Sequence, residues 1–141
     1  MTAFNTTSAF VDTNIWLYAF IAGQDPAKHQ KAINLIVTTN TIFVSTQVIN
    51  EVCTNLLHKQ NSSEQDIRDF IADFYALYTV IELDQAQLLQ ASTLREKYLL
   101  SYWDGLIIAS ALRSNTPTLY SEDMYNGLII EQKLQIVNPF K

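Results

Sequence analysis

The sequence has 141 residues, of which 48% are hydrophobic and 16% are charged, with 3 glycines and 3 prolines. This composition excludes a largely disordered chain and predicts a single domain, residues 1–141, of regular elements joined by short loops. The net charge of −5 and the pI of about 4.8 disfavour an extended basic surface for nucleic acid, although carboxylates gathered around a metal ion would lower the pI in the same way.

The cysteine content and the apolar runs indicate a cellular compartment. Cys53 is the only cysteine, so no internal disulfide can form, which agrees with a reducing cytosol. No Lys or Arg precedes Lys28 and the first apolar run is short, so we expect no signal peptide. No apolar run approaches the roughly 20 residues of a membrane helix. We therefore expect a soluble, cytoplasmic protein without a membrane partner.

Strand and helix patterns alternate along the whole sequence. Five strands are predicted, at Ser8–Val11, Thr41–Val44, Thr79–Ile81, Pro117–Tyr120 and Leu134–Val137. Six helices are predicted between them, ending near Phe20, Thr38, Leu57, Leu77, Tyr98 and Arg113. Residues suited to N-caps precede five of these helices: Asp25, Ser45 or Thr46, Ser63, Asp84 and Ser101. This alternation is typical of an α/β fold with a mainly parallel sheet covered on both faces.

Four acidic residues stand at the ends of these predicted elements. Asp12 ends the first strand, and Asp123 follows the fourth strand. Glu51 lies in the second turn of the helix after the second strand, and Asp104 lies near the start of the Tyr102–Arg113 helix. The carboxyl ends of parallel strands and the helix starts that follow them share one edge of the sheet, which is where ligands of open α/β sheets bind. We therefore expect the four carboxylates to converge.

Each acid also has an ordinary structural interpretation. An Asp near a helix start suits the positive end of the helix dipole, which makes a structural role for Asp104 alone about as good as a functional one. An isolated Glu51 is most simply a solvated helix residue, and Asp123 alone is a loop acid. Asp12 alone could be only an N-cap. Four acids at one predicted edge together favour a site.

A divalent cation would resolve the repulsion among carboxylates packed within a few ångströms. The predicted donors are hard oxygen atoms without matching His or Cys residues, which indicates Mg²⁺ or Mn²⁺ rather than zinc. Clusters of this kind commonly serve phosphoryl chemistry, because the ion activates water and neutralises charge on the phosphorus oxygens.

Four segments resemble the signature segments of PIN-domain ribonucleases, and most closely those of the VapC-type toxins of bacterial toxin–antitoxin pairs. They are Phe10–Asn14, Gln47–Glu51, Tyr102–Ala109 and Ser121–Asp123. No single segment is specific, but all four occur in the family's order at suitable spacing, and the resemblance spans about residues 8–137.

The resemblance implies a three-layer α/β/α sandwich around a five-stranded parallel sheet and Mg²⁺- or Mn²⁺-dependent RNA cleavage. The family's acidic metal site would be formed here by Asp12, Glu51, Asp104 and Asp123, and Asn14 and Ser121 match its polar supporting positions. We also expect Thr13 and Asn14 to hold Asp12 in place by hydrogen bonds. It also implies a neighbouring antitoxin whose C-terminal segment crosses the acidic edge with a basic side chain. A homodimer is expected as well, to which the apolar helix around Ile67–Phe74 could contribute.

Two departures from the family's pattern affect these expectations. Gly105 stands where the family more often has Ala, which puts little in doubt. The acidic pI means that RNA contacts must come from local basic residues, yet the Lys and Arg residues are dispersed in sequence. Trp16 and Trp103 lie near the acids, and packing is a better interpretation than base stacking for both.

Two other functions remain open on the sequence. Another phosphoryl-transfer enzyme could use a similar sheet, but a haloacid-dehalogenase-like phosphatase would have a second Asp where Asn14 stands, and a receiver domain would have an acidic pair that is absent here. A non-catalytic PIN-like binding module could keep the acids without cleaving RNA. Metal-dependent RNA cleavage would separate the first interpretation from this last one.

Overall fold

The computed structural model describes residues 7–21 and 23–141. Its six strands are β1 (Ser8–Val11), β2 (Thr41–Ser45), β3 (Thr79–Ile81), β4 (Thr118–Tyr120), β5 (Ile129–Ile130) and β6 (Leu134–Val137). Its six helices are α1 (Thr13–Phe20), α2 (Pro26–Thr38), α3 (Thr46–Lys59), α4 (Glu64–Leu77), α5 (Gln85–Tyr98) and α6 (Tyr102–Arg113). The predicted α/β class with a central, mainly parallel sheet is confirmed.

The sheet has the strand order β3-β2-β1-β4-β6-β5. All neighbouring strands pair in parallel except β5, which is antiparallel to β6. The sheet therefore has six strands, and the expected number of five was wrong. The missing strand, β5, has only two residues, which is too short to give a periodic pattern. A turn at Glu131 and Gln132, both with positive φ (51° and 58°), returns the chain into β6.

Strand β1 occupies the centre of the sheet and carries the first predicted acid at its end. Ala9, Phe10 and Val11 are consecutive and all almost fully buried, with exposed fractions of 2%, 0% and 0%. Since alternate side chains of a strand point to opposite faces, both faces of the sheet are covered here. The carboxyl end of β1 lies between those of β2 and β4, so residues after all three strands share one edge.

An aromatic cluster fixes α1 against α4. The Trp16 ring lies 4.6 Å from that of Phe74 and 5.0 Å from that of Tyr78, measured between ring centroids. Ile67 and Phe74 are buried in this core. Among the described residues, no helix is long and apolar enough to cross a membrane.

Helices α5 and α6 approach each other closely at Gly105. A Cβ atom added at this position would lie 2.6 Å from Arg95 Cγ and 3.2 Å from the Ala91 carbonyl oxygen. The glycine therefore lets the stem of Arg95 cross α6. From there, the Arg95 guanidinium lies 4.3 Å from the centre of the Tyr102 ring. The departure from the family's usual Ala thus has a packing consequence.

Gly105→Ala should lower the free energy of unfolding by about 1 kcal/mol. Overpacking costs roughly 1–3 kcal/mol, which exceeds the gain of about 1 kcal/mol from replacing a helical glycine. Urea denaturation measures the change. Gly23→Ala is the matched control, because nothing lies within 4 Å of a Cβ added there. A Gly105→Ala protein more stable than wild type would show that Arg95 moves aside at no cost.

Candidate active site

Asp12 lies where β1 passes into α1, and it is held from several directions. Its backbone N–H donates to the Tyr120 carbonyl oxygen (3.0 Å), which ties the end of β1 to β4. Its side chain caps α1 by accepting from the Thr13 N–H at Oδ1 (2.7 Å). The Ser121 hydroxyl, itself fully buried, donates to Oδ2 (2.8 Å). Both carboxylate oxygens are therefore oriented by the ends of two neighbouring strands.

The surroundings of Asp12 disfavour its charge. Burial raises the pKa of its carboxyl from 3.8 to about 6, and the nearby Glu51 and Asp104 carboxylates contribute to the rise. The hydrogen bonds from Thr13 and Ser121 act in the opposite direction, but they do not compensate. A carboxyl group held at a strand end despite this cost is a feature typical of functional sites.

Glu51 faces the same region from α3. Ser45 caps that helix by accepting from the Val48 N–H (3.3 Å), which fixes where the first turns begin. The Thr13 hydroxyl donates to Glu51 Oε1 at a long 3.4 Å, so Thr13 bridges the two acids through its backbone and side chain. Burial raises the pKa of Glu51, Asp104 adds to the rise, and hydrogen bonds from Gln47 and Thr13 oppose it.

Asp104 and Asp123 complete the acidic edge. Asp104 lies in the first turn of α6, where its N–H donates to the capping hydroxyl of Ser101 (3.2 Å). Asp123 lies in the exposed segment after β4, and the side-chain amide of Asn14 donates to its Oδ2. Asn14 thus contacts Asp123 rather than Asp12, whereas Thr13 and Ser121 support Asp12 as expected.

All four acids line one cavity of about 310 Å³ between α1, α3 and α6. Within residues 7–21 and 23–141, however, no three acidic, His or Cys side chains are gathered closely enough to enclose a metal ion. Asp123 is turned towards Asn14, and like charges favour separation of the remaining carboxylates. The four acids therefore line one cavity, but in the described structure they are not close enough together to form a metal-binding cluster.

The cavity wall nevertheless fits a hydrated divalent cation. Gln47 Oε1 is buried in this wall and accepts no hydrogen bond from a described residue. An uncompensated acceptor next to carboxylates suits an ion that keeps several of its waters. The donors offered by the lining are carboxylate and amide oxygens, which matches Mg²⁺ or Mn²⁺.

Sequence patterns missed the network that holds the segment after β4. Glu122 forms an ion pair with Lys28 of α2 and accepts from the Tyr18 hydroxyl of α1 (2.9 Å). Its backbone carbonyl oxygen accepts from the Asn138 amide (3.3 Å). This network ties the residue next to Asp123 to both helices. The acidic pair Glu122-Asp123 was the available signal, but only the fold shows that its two members face different partners.

The two tryptophans have opposite environments. Trp16 is 1% exposed and packed in the aromatic cluster, as the sequence analysis preferred. Trp103 is 63% exposed and lines the acidic cavity, so the packing interpretation was wrong for this residue. Its place at the start of α6 turns the side chain away from the buried face that begins at Gly105. The cavity also includes Lys59 at the end of α3.

Comparison with known proteins agrees with this geometry. The profile of the PIN domain matches residues 9–125, which contain all four acids. The chain belongs to the PIN-domain family. No curated protein matches this PIN domain in sequence.

Solved structures share the fold of this PIN domain. A toxin–antitoxin complex from Klebsiella pneumoniae is 21% identical over 93% of this chain and 97% of that one, with a TM-score of 0.70. VapC20 of Mycobacterium tuberculosis, a toxin that cleaves the sarcin-ricin loop, is 20% identical over 82% and 89%, with a TM-score of 0.64. VapBC2 of Rickettsia felis, bound to a promoter DNA fragment, is 18% identical over 83% and 89%, with a TM-score of 0.59.

Asp12→Asn should stabilise the metal-free PIN domain above pH 6. The unfolded protein releases this proton near the usual pKa of 3.8 and the folded protein near 6, so wild-type stability falls as pH rises between these values, by up to about 3 kcal/mol. Asn keeps the acceptor for Thr13 and can donate to Ser121, so the gain should appear above pH 6 and vanish below pH 4.

Denaturant unfolding in chelator across this pH range measures the gain. The control is Asp73→Asn, which removes an exposed carboxylate of α4 and should follow the wild-type curve. Equal stabilities of Asp12→Asn and wild type at every pH would show that burial of Asp12 is not costly.

Proposed function

We propose that this PIN domain is a divalent-metal-dependent endoribonuclease and the toxin component of a toxin–antitoxin pair. The observation that carries the proposal is the single cavity lined by Asp12, Glu51, Asp104 and Asp123, in which Asp12 lies partly buried at the end of β1. The family and the toxins that share its fold support hydrolysis of RNA phosphodiester bonds as the reaction. The protein would act in the cytoplasm.

The four acids would hold Mg²⁺ or Mn²⁺. When bound, such an ion activates a water molecule and neutralises negative charge that builds up on the phosphate oxygens. Thr13 and Ser121 keep the Asp12 carboxylate aimed into the cavity through hydrogen bonds to its two oxygens. Asn14 orients Asp123 at the cavity rim, and Thr13 steadies Glu51.

Purified protein should cleave RNA in Mg²⁺ or Mn²⁺, and chelator should abolish cleavage. Asp12→Asn and Asp104→Asn should each lower the single-turnover rate by at least 100-fold, because each removes a charge from the site while keeping its shape. Gel analysis of end-labelled RNA measures the rate, and Asp73→Asn is the control. Wild-type cleavage that survives in both variants would contradict the assignment, and a folded protein with no cleavage would favour a binding module.

Metal binding should also be visible without RNA. Mg²⁺ or Mn²⁺ should raise the melting temperature of the wild type, since an ion bound only by the folded state stabilises it by mass action. The rise should be lost in Asp12→Asn and kept in Asp73→Asn. Equal rises in all three proteins would show that the ion binds elsewhere.

The antitoxin and the homodimer belong to the same proposal. An antitoxin segment carrying a basic side chain would fit the acidic cavity by charge, and the toxin–antitoxin complexes with this fold support such a partner. Exposed apolar side chains beside the aromatic cluster, at Phe20, Tyr75 and Leu77, support association with a second copy. Co-purification with the product of the neighbouring reading frame and sedimentation of the free protein test the two points.

A further inference from the structure

The α3 wall of the cavity carries one stripe of polar residues. Gln47, Glu51, Asn55 and Lys59 all line it. They recur every four residues, which places them on the same face of the helix. Lys59 follows Glu51 by eight residues and thus lies about 12 Å further along the helix axis. The cavity is also lined by α1 and the segment after it, including Leu17, Ile21 and Gln24.

Lys59 is the only cationic side chain lining the cavity among the residues that the structure describes. It forms no ion pair with a described carboxylate, unlike Lys28, which is held by Glu122. A cation left without a partner at one end of an acidic cavity is suited to an anion that extends beyond the carboxylates. Its position further along the helix from Glu51 favours contact with a phosphate group other than the one at the acids.

Trp103 lies at the other end. Its indole is 63% exposed, and its backbone carbonyl oxygen accepts from the Gln47 side chain (3.4 Å), which joins the two walls. The Tyr102 ring contacts the indole edge to face, with centroids 5.1 Å apart and planes at 78°. Tyr102 in turn carries the Arg95 guanidinium on its ring. The indole is therefore braced on one side while it stays exposed to solvent.

We propose that this cavity is a track for single-stranded RNA, in which Trp103 stacks on a base next to the cleaved phosphate and Lys59 binds a different phosphate of the same strand. The inference rests on the proposed nuclease function and names two substrate-binding residues for it. Stacking on one aromatic face tolerates any base, and it requires a base that is not already paired in a duplex. A peptide partner would not need a phosphate-binding cation separated from the carboxylates in this way.

The test measures binding without cleavage. In the Asp12→Asn background, Trp103→Ala and Lys59→Gln are compared on a short oligoadenylate and on the same oligomer with abasic sugars. Trp103→Ala should weaken oligoadenylate binding roughly 5- to 150-fold without changing its salt dependence, and it should have no effect on the abasic strand. Lys59→Gln should weaken binding to both strands and reduce the slope of log K against log salt by about 0.7.

Two controls match these variants. Tyr125→Ala removes an aromatic side chain that is 81% exposed and does not line the cavity. Lys133→Gln removes an exposed cation just before β6, at the amino end of the strand and so at the edge opposite the carboxyl ends. Both should bind the two strands as the parent does. Trp103 fluorescence adds a direct signal, because RNA should quench it while the buried Trp16 emission stays unchanged.

The outcomes separate this inference from the proposed function. Wild-type cleavage of RNA together with unchanged binding by Trp103→Ala and Lys59→Gln would overturn the inference and leave the nuclease intact. The predicted binding changes in a protein that cuts no RNA would support the track and contradict the nuclease. If Trp103→Ala and Lys59→Gln bound RNA as the parent does but no longer bound the protein encoded by the neighbouring reading frame, the cavity would be a site for that protein. This result would overturn the inference.

Discussion

The burial of one carboxylate at the end of β1 is the constraint on which the site depends. Phe10 and Val11 are buried on opposite faces of the sheet, and the next residue, Asp12, lies partly buried at the edge of the sheet. Asp12 occupies this position although burial and two neighbouring acids raise its pKa to about 6. The fold offsets part of that cost with the Thr13 N–H and the Ser121 hydroxyl, and an added cation would offset more.

Parallel pairing explains why distant sequence segments meet at this carboxylate. The Asp12 N–H bonds the Tyr120 carbonyl, so the residue after β1 and the residues after β4 are fixed side by side. In the same register, the Ser121 hydroxyl donates a hydrogen bond to the Asp12 carboxylate, and the Asn14 amide donates one to the Asp123 carboxylate. Glu122 faces the other way, towards Lys28 and Tyr18. Three consecutive residues thus have three different partners, because the chain leaves the strand at this point.

The features that depend on strand ends and on helix caps could be predicted from the sequence. Ser45, Ser63, Asp84 and Ser101 all act as the expected N-caps, and the four acids line one cavity as parallel pairing requires. What it missed depends on tertiary packing. The two-residue β5 has no periodicity of its own and exists only because β6 pairs with it. Trp103 is exposed because the buried face of α6 begins only at Gly105. The metal and catalytic roles of the acids stay predictions.

The charge distribution reconciles an acidic protein with an anionic substrate. In the described part of the chain, three Lys or Arg residues form ion pairs with carboxylates, Lys28 among them, and Arg95 lies on the Tyr102 ring. These cations support the fold, so the net charge of −5 says little about the cavity. In the cavity, bound divalent cations would change the local charge from negative to positive, and Lys59 would add one further contact to the RNA. Affinity for RNA would then depend on the metal first, and a broad basic face would not be needed.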